Sequence, residues 1–589
     1  MSCFSKVFEK SDEFKSLAGS INISGAAVGA TGVSDAVKAH MIHSLIQEKG
    51  EKAVIIMPDE ASAVRMSENL GAVQAGVLFY PAREFTFQHV AGVSRDFEHI
   101  RLGVLSKMIN GEYTAVVCSV NAATQLTMPP QELKKRTVVI KTGNQLDLDS
   151  LVSRLVFAGY SRYEQVDGTS QFAVRGGIID IFPPGASEPV RIELWGDIVD
   201  SISSFDISTQ RRTGSLSEIE LIPATEVLFE SNEKFIKKLR ALAESLKGKA
   251  IKAREGIYAD IDSLEAGVSL PCCDKYMPLA YESSGIFDYL SGLLFVCESA
   301  KVKERSQNSE RLMLEQIKWY LEDGTLCRGL DKYQLSFEEI KQIYSSHGAV
   351  YLDSLPRGSF DTPVAHLSSF AVQSFNAWSG KTEDLKEDIV PLLKNGYTVC
   401  VMAGTARSAK ALAYDLNDDD INAVFSNGYP QEFQKGAVTV TTSTITAGFV
   451  LPAVKFALIT HMKAHMQKSK KHKVNSKNAI HSLDELSVGD YIVHNVHGIG
   501  VFEGIHALEL NKVKKDYIKI SYAKGDVLYV PVTQLDLVSK YIGPGENSRV
   551  KINRLGGNEW KKAKAKVRSS VKDLSLIHIS EPTRQAEIS

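Results

Sequence analysis

Two short apolar runs joined by a proline- and glycine-rich turn constrain the fold more than any other feature of this 589-residue sequence. Residues 178–182 predict a strand, residues 183–185 a turn and residues 190–195 a returning strand. Successive side chains of a strand point to opposite sides of the sheet, so Val190, Ile192 and Leu194 share one face. The pattern predicts a β-rich domain over residues 141–223, with one buried face and one outward face.

The outward face of the returning strand carries Arg191, Glu193 and Trp195, and Arg175 lies just before the first strand. An arginine beside a tryptophan makes a good interface anchor, because these side chains dominate binding energy at protein interfaces. In the alternative interpretation, Trp195 belongs to the core and both arginines point into solvent. The strand pattern alone does not separate these two interpretations.

Strands alternate with helices on both sides of this β-rich segment. Residues 54–57 predict a strand, followed by a helix with Asp59 as its N-cap. Further strands are predicted at 77–79 and 115–118. The helix between them has a predicted apolar stripe made of Phe97, Ile100, Val104 and Leu105. A second strand–loop–helix follows at 398–416, and this alternation predicts an α/β multidomain protein with a mostly parallel sheet.

An N-terminal α/β domain is a common setting for a phosphate-binding loop. Such a loop needs glycines that expose backbone N–H groups, a lysine for charge and a Ser or Thr for Mg²⁺. The Gly-rich candidate starts at Gly25 and has Ala30, Thr31 and Gly32 where the pattern requires Gly, Lys and Ser or Thr. Because the lysine is missing, we expect a degenerate nucleotide site that does not bind ATP.

Composition excludes several classes of protein. The formal net charge of −2 argues against a uniformly basic nucleic-acid-binding protein. The seven cysteines include no CxxC pair, and no Cys or acid cluster accompanies His494 and His497, so we expect no metal. The sequence has neither a signal peptide nor an apolar run approaching about 18 residues, so we expect a cytoplasmic protein without a membrane partner.

Three stretches of sequence resemble a known family of modules. They are YPAREFTF at 80–87, FAVRGGIIDIFPPG at 172–185 and PVRIELWGD at 189–197. Together they resemble the UvrB-like module shared by the excision-repair protein UvrB and the bacterial transcription-repair coupling factors. UvrB also has a working P-loop and a long aromatic hairpin, and residues 79–95 leave no room for that hairpin.

The C-terminal part supports the second of these families. VGDYIVH at 488–494, HGIGVFEG at 497–504 and LYVPV at 528–532 resemble the CarD-like RNA-polymerase-interaction domain of the coupling factors. Residues 517–522, the turn at 523–526 and residues 527–530 independently predict a hairpin. Several such strands would close a small SH3-like β-barrel.

The resemblance implies a domain order. It gives a UvrB-like, degenerate RecA-like α/β domain with an inserted β-rich domain, then a second small α/β domain and a CarD-like barrel. The implied boundaries are 1–140 and 224–340 for domain 1, 141–223 for the UvrA-binding domain 2, 341–460 for domain 3, 461–483 for a Lys-rich linker, 484–548 for the CarD-like domain, 549–575 for a connector helix and 576–589 for a non-native tail.

The resemblance also implies roles for individual residues. Two arginines and an aromatic residue bind UvrA in coupling factors, and they match Arg175, Arg191 and Trp195. An apolar residue after the first hairpin of the polymerase-binding domain contacts the β subunit of RNA polymerase, and it matches Leu508. Glu298 lies where UvrB has its Walker B acid, and with the P-loop degenerate it is expected to be a relic.

Coupling factors continue into a motor that uses ATP and Mg²⁺ to translocate on double-stranded DNA, and no motor sequence follows here. Lys561, Lys564 and Arg568 of the connector helix are candidate DNA contacts, with a solvated basic face as the alternative. We expect this chain to lack ATP hydrolysis and to need no cofactor of its own.

The leading hypothesis is therefore the N-terminal half of a transcription-repair coupling factor, which would link stalled RNA polymerase to nucleotide excision repair by recruiting UvrA. Two alternatives come from other classes. One is a CarD-like transcription regulator without a repair role, and the other is a UvrB-type excision-repair helicase.

Overall fold

The computed structural model describes residues 3–23, 25–88, 95–207, 209–246, 250–266, 270, 273–281, 283–375, 377–378, 380–430, 432–442, 445–461, 488–494, 497–510, 513–531, 538–540 and 552–554, with the backbone alone at 507–510, 513–516, 531 and 539–540. Two compact units divide the chain, Met1–Lys468 and Ser469–Ser589. The predicted Lys-rich linker, 461–483, spans this division. All its residues but 461 lie outside the described residues.

In chain order, the strands are β1 (Ala27–Thr31), β2 (Ala53–Met57), β3 (Val77–Tyr80), β4 (Ala115–Ser119), β5 (Val138–Lys141), β6 (Ser161–Arg162), β7 (Gln171–Arg175), β8 (Ile178–Ile181), β9 (Val190–Trp195), β10 (Ile198–Phe205), β11 (Arg212–Leu216), β12 (Glu218–Leu221), β13 (Leu293–Cys297), β14 (Val350–Asp353), β15 (Val364–Ser369), β16 (Gln373–Phe375), β17 (Thr398–Met402), β18 (Ala423–Ser426), β19 (Val438–Thr441), β20 (Gly448–Leu451), β21 (Phe456–Thr460), β22 (Tyr491–His494), β23 (Gly498–Leu510), β24 (Val513–Ser521), β25 (Val527–Pro531) and β26 (Val538–Lys540).

The α-helices are α1 (Cys3–Phe8), α2 (Asp12–Ser20), α3 (Asp35–Lys49), α4 (Glu60–Val73), α5 (Asp96–Asn110), α6 (Val120–Thr124), α7 (Pro130–Arg136), α8 (Leu148–Phe157), α9 (Asn232–Ser245), α10 (Ile251–Glu265), α11 (Met277–Ala280), α12 (Ser299–Asp323), α13 (Phe337–His347), α14 (Thr382–Lys394) and α15 (Ala406–Asp418).

The first sheet has seven strands in the order β15-β1-β14-β13-β2-β4-β3, and every pairing in it is parallel, as the alternation of strands and helices predicts. Two of its strands, β14 and β15, come from the range predicted as domain 3. The boundary predicted at residue 340 is therefore wrong, because both strands pair with β1 from the beginning of the chain.

Local sequence accounts for the helix that follows β2. Asp59 caps α4 by accepting a hydrogen bond from the backbone N–H of Ser62 at 2.8 Å, as predicted. The stripe predicted for α5 is only half right, because Val104 and Leu105 are buried whereas Phe97 and Ile100 are exposed.

A second α/β sheet, the third-domain sheet, has the order β16-β20-β21-β17-β19-β18. Apolar residues of its β17, β20 and β21 join α1, α3 and one face of the first sheet in a single hydrophobic core. Helix α3 lies within this core and is buried from Ala36 to Ile46, including its polar residues Lys38, His40 and His43.

The inserted β-rich segment forms a six-stranded sheet in the order β11-β10-β9-β8-β7-β6, which we call the insert sheet. The predicted hairpin is confirmed, because β8 and β9 pair antiparallel. The Pro-Pro-Gly turn contacts α5 so closely that a Cβ built on Gly103 would lie 2.7 Å from the Cα of Gly185. Nearby, the Ser170 hydroxyl lies 2.8 Å from Nε2 of His99. These contacts attach the insert to the first α/β domain.

The second unit contains an antiparallel sheet in the order β25-β24-β23-β22-β26, with a small core of its own. The predicted hairpin is confirmed as β24 and β25. Most of the connector helix and the whole tail, 576–589, lie outside the described residues. Nowhere in the described part of the chain does a helix combine the length and apolarity that a membrane span requires.

Candidate protein-interaction site

The outward face of the insert sheet forms through simple strand alternation. On β9, Val190 and Ile192 are buried in the core of the insert, and Leu194 packs against it. Arg191, Glu193 and Trp195 therefore point to the other side, as the sequence predicts. A small apolar cluster that includes Ala173 and Phe205 covers one end of this outward face.

A buried carboxylate joins the two arginines. Asp180 of β8 lies opposite Arg191 of β9 and is only 1 % exposed. Nε of Arg191 donates to Oδ1 of Asp180 at 2.6 Å, and Nη2 donates to Oδ2 at 2.9 Å. Nη2 of Arg175 donates to the same Oδ2 at 2.6 Å. Asp180 thus places two guanidinium groups side by side on the sheet.

Two further contacts hold Arg191. Its guanidinium carbon lies 4.7 Å from the ring centre of Phe205, which is within cation–π range. Gln210 has a left-handed backbone (φ 58) and accepts from Arg191 through both its backbone and its side-chain oxygen, each at 3.4 Å. The hydrogen bonds to Asp180 raise the pKa of Arg191, so the group stays charged.

Trp195 ends β9 at the tip of a hairpin and is 82 % exposed. It pairs across the two-residue turn with Ile198, which is also exposed, and Gly196 in that turn has φ 62. Beside it, Glu193 accepts hydrogen bonds from Arg212 and from the Ser201 hydroxyl. The bond from Arg212 is the main reason why the pKa of this carboxyl lies below its ordinary value. An exposed indole and isoleucine therefore border a paired, charged surface.

The structure contradicts the alternative interpretation of this face, in which Trp195 belongs to the core and both arginines point into solvent. Trp195 is not a core residue, and Arg191 is not simply solvated, because its side chain is only 15 % exposed. Arg175 is the accessible arginine, with 53 % of its side chain exposed. Sequence reasoning missed Asp180 and Gln210. A signal for Asp180 was present, since it is the one charged residue in an otherwise apolar strand.

The residues of the degenerate nucleotide loop lie at and around β1, and the backbone that follows β15 packs against them. Ala30 and Thr31 belong to β1, and Gly25 lies in the turn before that strand. Gly32 has φ 74, and a Cβ built on it would lie 2.0 Å from the carbonyl oxygen of Phe370. The N–H of Phe370 donates to Thr31 at 2.8 Å. The backbone after β15 therefore packs directly against the end of β1, at Thr31 and Gly32.

A lysine does reach the carboxyl edge of the first sheet, but it comes from helix α3 and not from the Gly-rich loop. Lys38 is fully buried and donates to Glu298, to Asp35 Oδ1 at 2.6 Å and to the Ser354 hydroxyl at 3.0 Å. Burial alone would lower the pKa of Lys38, but Cys297, Asp35 and Glu298 outweigh burial and raise it. Burial alone would raise the pKa of Glu298, but the Lys38 ammonium and Ser354 hold it below its ordinary value. Sequence reasoning had identified Glu298 but not its partner.

In the second unit, the backbone of Leu508 lies in β23 and pairs with Lys515 of β24. The candidate DNA contacts Lys561, Lys564 and Arg568 lie outside the described residues.

The rings of His494 and His497 contact each other at a tilt of 38°, with their centres 4.8 Å apart, and burial lowers the pKa of His494 to about 4. Within the described residues, no group of three or more His, Cys, Asp or Glu side chains could hold a metal ion.

The chain belongs to a class of proteins that combine two domains. A UvrB interaction domain is matched by its family model over residues 138–227, and a CarD-like/TRCF RID domain is matched over residues 486–542. The chain is 31 % identical over 584 residues to the transcription-repair-coupling factor of Bacillus subtilis, covering 96 % of this chain and 49 % of that protein. It is 28 % identical to that of Staphylococcus epidermidis RP62A, covering 92 % of this chain and 48 % of the relative. The resemblance to the coupling factors is confirmed, and the chain spans about half the length of the curated relatives it matches.

Proposed function

We propose that this chain is the adaptor part of a transcription-repair coupling factor. It binds UvrA through the outward face of the insert sheet, with Arg175, Arg191 and Trp195 as anchors. It binds the β subunit of RNA polymerase through the CarD-like domain, with Leu508 at the contact. By holding both partners, it couples a stalled polymerase to nucleotide excision repair.

The observation that carries this proposal is the presence, on one chain, of a UvrB interaction domain and a CarD-like/TRCF RID domain. The geometry of the first domain supports it, because Trp195 is exposed beside two arginines fixed by one carboxylate. Exposed aromatic and arginine side chains of this kind are the usual anchors of protein interfaces.

We further propose that this part of the protein binds no nucleotide. Gly32 abuts the Phe370 carbonyl, and the available lysine, Lys38, is already paired with Glu298. ATP and Mg²⁺ would be used by a separate motor, which would supply the helicase-type ATP hydrolysis and most of the contact with double-stranded DNA. Lys561, Lys564 and Arg568 would add contacts to DNA.

For the CarD-like domain, we propose that the five-stranded sheet closes into an SH3-like barrel. The irregular register of β23 between Phe502 and Gly504 supports this, because bulges bend strands in small barrels. Both proposed partners act on bacterial chromosomal DNA, which fits a cytoplasmic location.

The test is whether the 589-residue chain holds UvrA and RNA polymerase in one complex during size-exclusion chromatography. We expect Trp195→Ala to lose UvrA alone and Leu508→Arg to lose polymerase alone. Tyr414→Ala, which removes another exposed aromatic from α15, should lose neither. A chain that binds polymerase but not UvrA would be a CarD-like regulator. DNA opening with ATP hydrolysis would indicate a UvrB-type enzyme.

A further inference from the structure

Asp180 is the one acceptor that Arg175 and Arg191 share among the described residues. It takes three hydrogen bonds from the two guanidinium groups, between 2.6 and 2.9 Å. Hydrogen bonds between guanidinium and carboxylate are short, strong and directional. The carboxylate therefore sets the planes of both guanidinium groups and does more than neutralise charge.

A partner protein cannot reach this carboxylate, because Asp180 is 1 % exposed beneath the two arginines. Any effect of Asp180 on binding must consequently pass through Arg175 and Arg191. The hydrogen bond of Arg175 to Asp180 uses only Nη2, and we find no second partner for Arg175 among the described residues. The remaining N–H groups of this half-exposed side chain are free to meet a partner.

Charge counting limits what that partner can be. Two arginines and one aspartate leave the cluster with one net positive charge, and Arg212 neutralises the neighbouring Glu193. The exposed pair Trp195 and Ile198 adds an apolar border. This surface suits a carboxylate that lies beside an apolar pocket on the partner.

We propose that Asp180 is a positioning residue of this face, which orients Arg175 and Arg191 as a preformed fork for an acidic side chain of UvrA. The inference rests on the proposed function and adds to it the orienting residue and the chemistry of the partner surface. Preformed geometry favours binding because the arginine side chains lose less conformational freedom when the partner arrives.

The direction in which one substitution changes the affinity for UvrA distinguishes a positioning role from simple charge attraction. Asp180→Asn removes a negative charge and raises the net charge of the cluster from one to two positive charges. If the arginines act only through charge, an acidic partner will bind this variant more tightly. If orientation matters, the variant will bind more weakly, because one amide oxygen cannot hold two guanidinium groups in the same way.

The experiment measures the affinity of UvrA for the full chain at several salt concentrations. We expect Asp180→Asn to weaken binding by about tenfold, an effect the size of one charge-assisted hydrogen bond. The matched control is Asp200→Asn, which removes the same charge from an exposed position on β10 and should change affinity by less than about twofold. Equal or tighter binding by Asp180→Asn would overturn the proposal.

A second variant covers the case in which Asp180→Asn does not fold, as judged by its Tm. Asp180→Glu keeps the charge and displaces the carboxylate by one methylene, so weaker binding at unchanged net charge is expected and unchanged binding would overturn the proposal. If wild type does not bind UvrA, or if Arg191→Ala binds as wild type does, the proposed function itself fails. If Arg191→Ala weakens binding but neither Asp180 variant does, only the positioning role fails.

Discussion

Lys38 reaches from helix α3 to Glu298 at the end of β13, so that a buried lysine and an acid meet at the carboxyl edge of the parallel sheet. In nucleotide-binding α/β proteins, this edge holds phosphate and Mg²⁺. Here the two side chains pair with each other, and the backbone of Phe370 packs against Gly32 in the neighbouring loop. The Lys38–Glu298 ion pair therefore fills this edge of the sheet with buried, paired side chains.

Removing the lysine should destabilise the first unit strongly. Lys38→Met removes the buried ion-pair partner of Glu298 and leaves its carboxylate, among the described residues, only the exposed Lys301 as an ion-pair partner, which costs about 3 kcal/mol or more. Amide hydrogen exchange in α3 and β13 measures this locally and avoids assuming that a multidomain chain unfolds in one step. Lys301→Met is the matched control, because Lys301 lies 3.6 Å from the same carboxylate but is exposed, and it should change exchange little. Equal exchange in the two variants would contradict a stabilising role for the buried pair.

The same pair predicts a dependence on pH. The pKa of Glu298 lies below its ordinary value of 4.5, so its stabilisation is fully present above that pH and is lost as the pH falls through the lowered pKa. Wild type should therefore have a higher Tm than Glu298→Gln at neutral pH, and the difference should shrink below pH 4.5. A difference in Tm that is constant across this range would show that the carboxylate is not held ionised by Lys38.

Nucleotide binding is expected to be absent from this part of the protein. Calorimetric titration of the purified chain with Mg²⁺-ATP should show no saturable heat, and a phosphate-release assay with DNA should show no turnover. The physical reason is steric as well as electrostatic, since the Phe370 carbonyl packs against Gly32 and the loop has no lysine of its own. Saturable heat or DNA-stimulated turnover would contradict this expectation.

Much of the candidate site could be predicted from local sequence. Period-two alternation in β9 separates Arg191 and Trp195 from Val190 and Ile192 without any knowledge of neighbouring strands. The partner of Arg191 could not be found in this way, because Asp180 lies on β8 and its alignment depends on the register between the two strands. Exposure of Trp195 was likewise undecided until the rest of the outward face was in place.

The errors in the fold prediction have a similar cause. The boundary at residue 340 fails because β14 and β15 pair with β1, more than three hundred residues earlier in the chain. The stripe predicted for α5 fails at Phe97 and Ile100, because helical spacing identifies a face but not its burial. Local patterns identify elements well, whereas pairings distant in sequence decide which elements share a core.

The geometry of the arginine fork gives a further prediction. Arg191→Lys keeps the charge but cannot make the two bonds to Asp180 together with the contacts to Gln210 and Phe205. UvrA affinity should fall by about tenfold. Arg162→Lys, an exposed position on β6 of the same insert sheet, should retain wild-type affinity. Wild-type affinity in Arg191→Lys would show that the site uses charge alone.

The most direct test of the account is the affinity of UvrA for Trp195→Ala in the full chain. The side chain is 82 % exposed, so truncation should leave the fold and its Tm unchanged. Losing an interface anchor should cost about 2 kcal/mol or more, which is at least roughly a thirtyfold loss of affinity. The account predicts that loss, with Tyr414→Ala binding as wild type does. Trp195→Ala binding UvrA as tightly as wild type would contradict the proposal that this face is the UvrA-binding site.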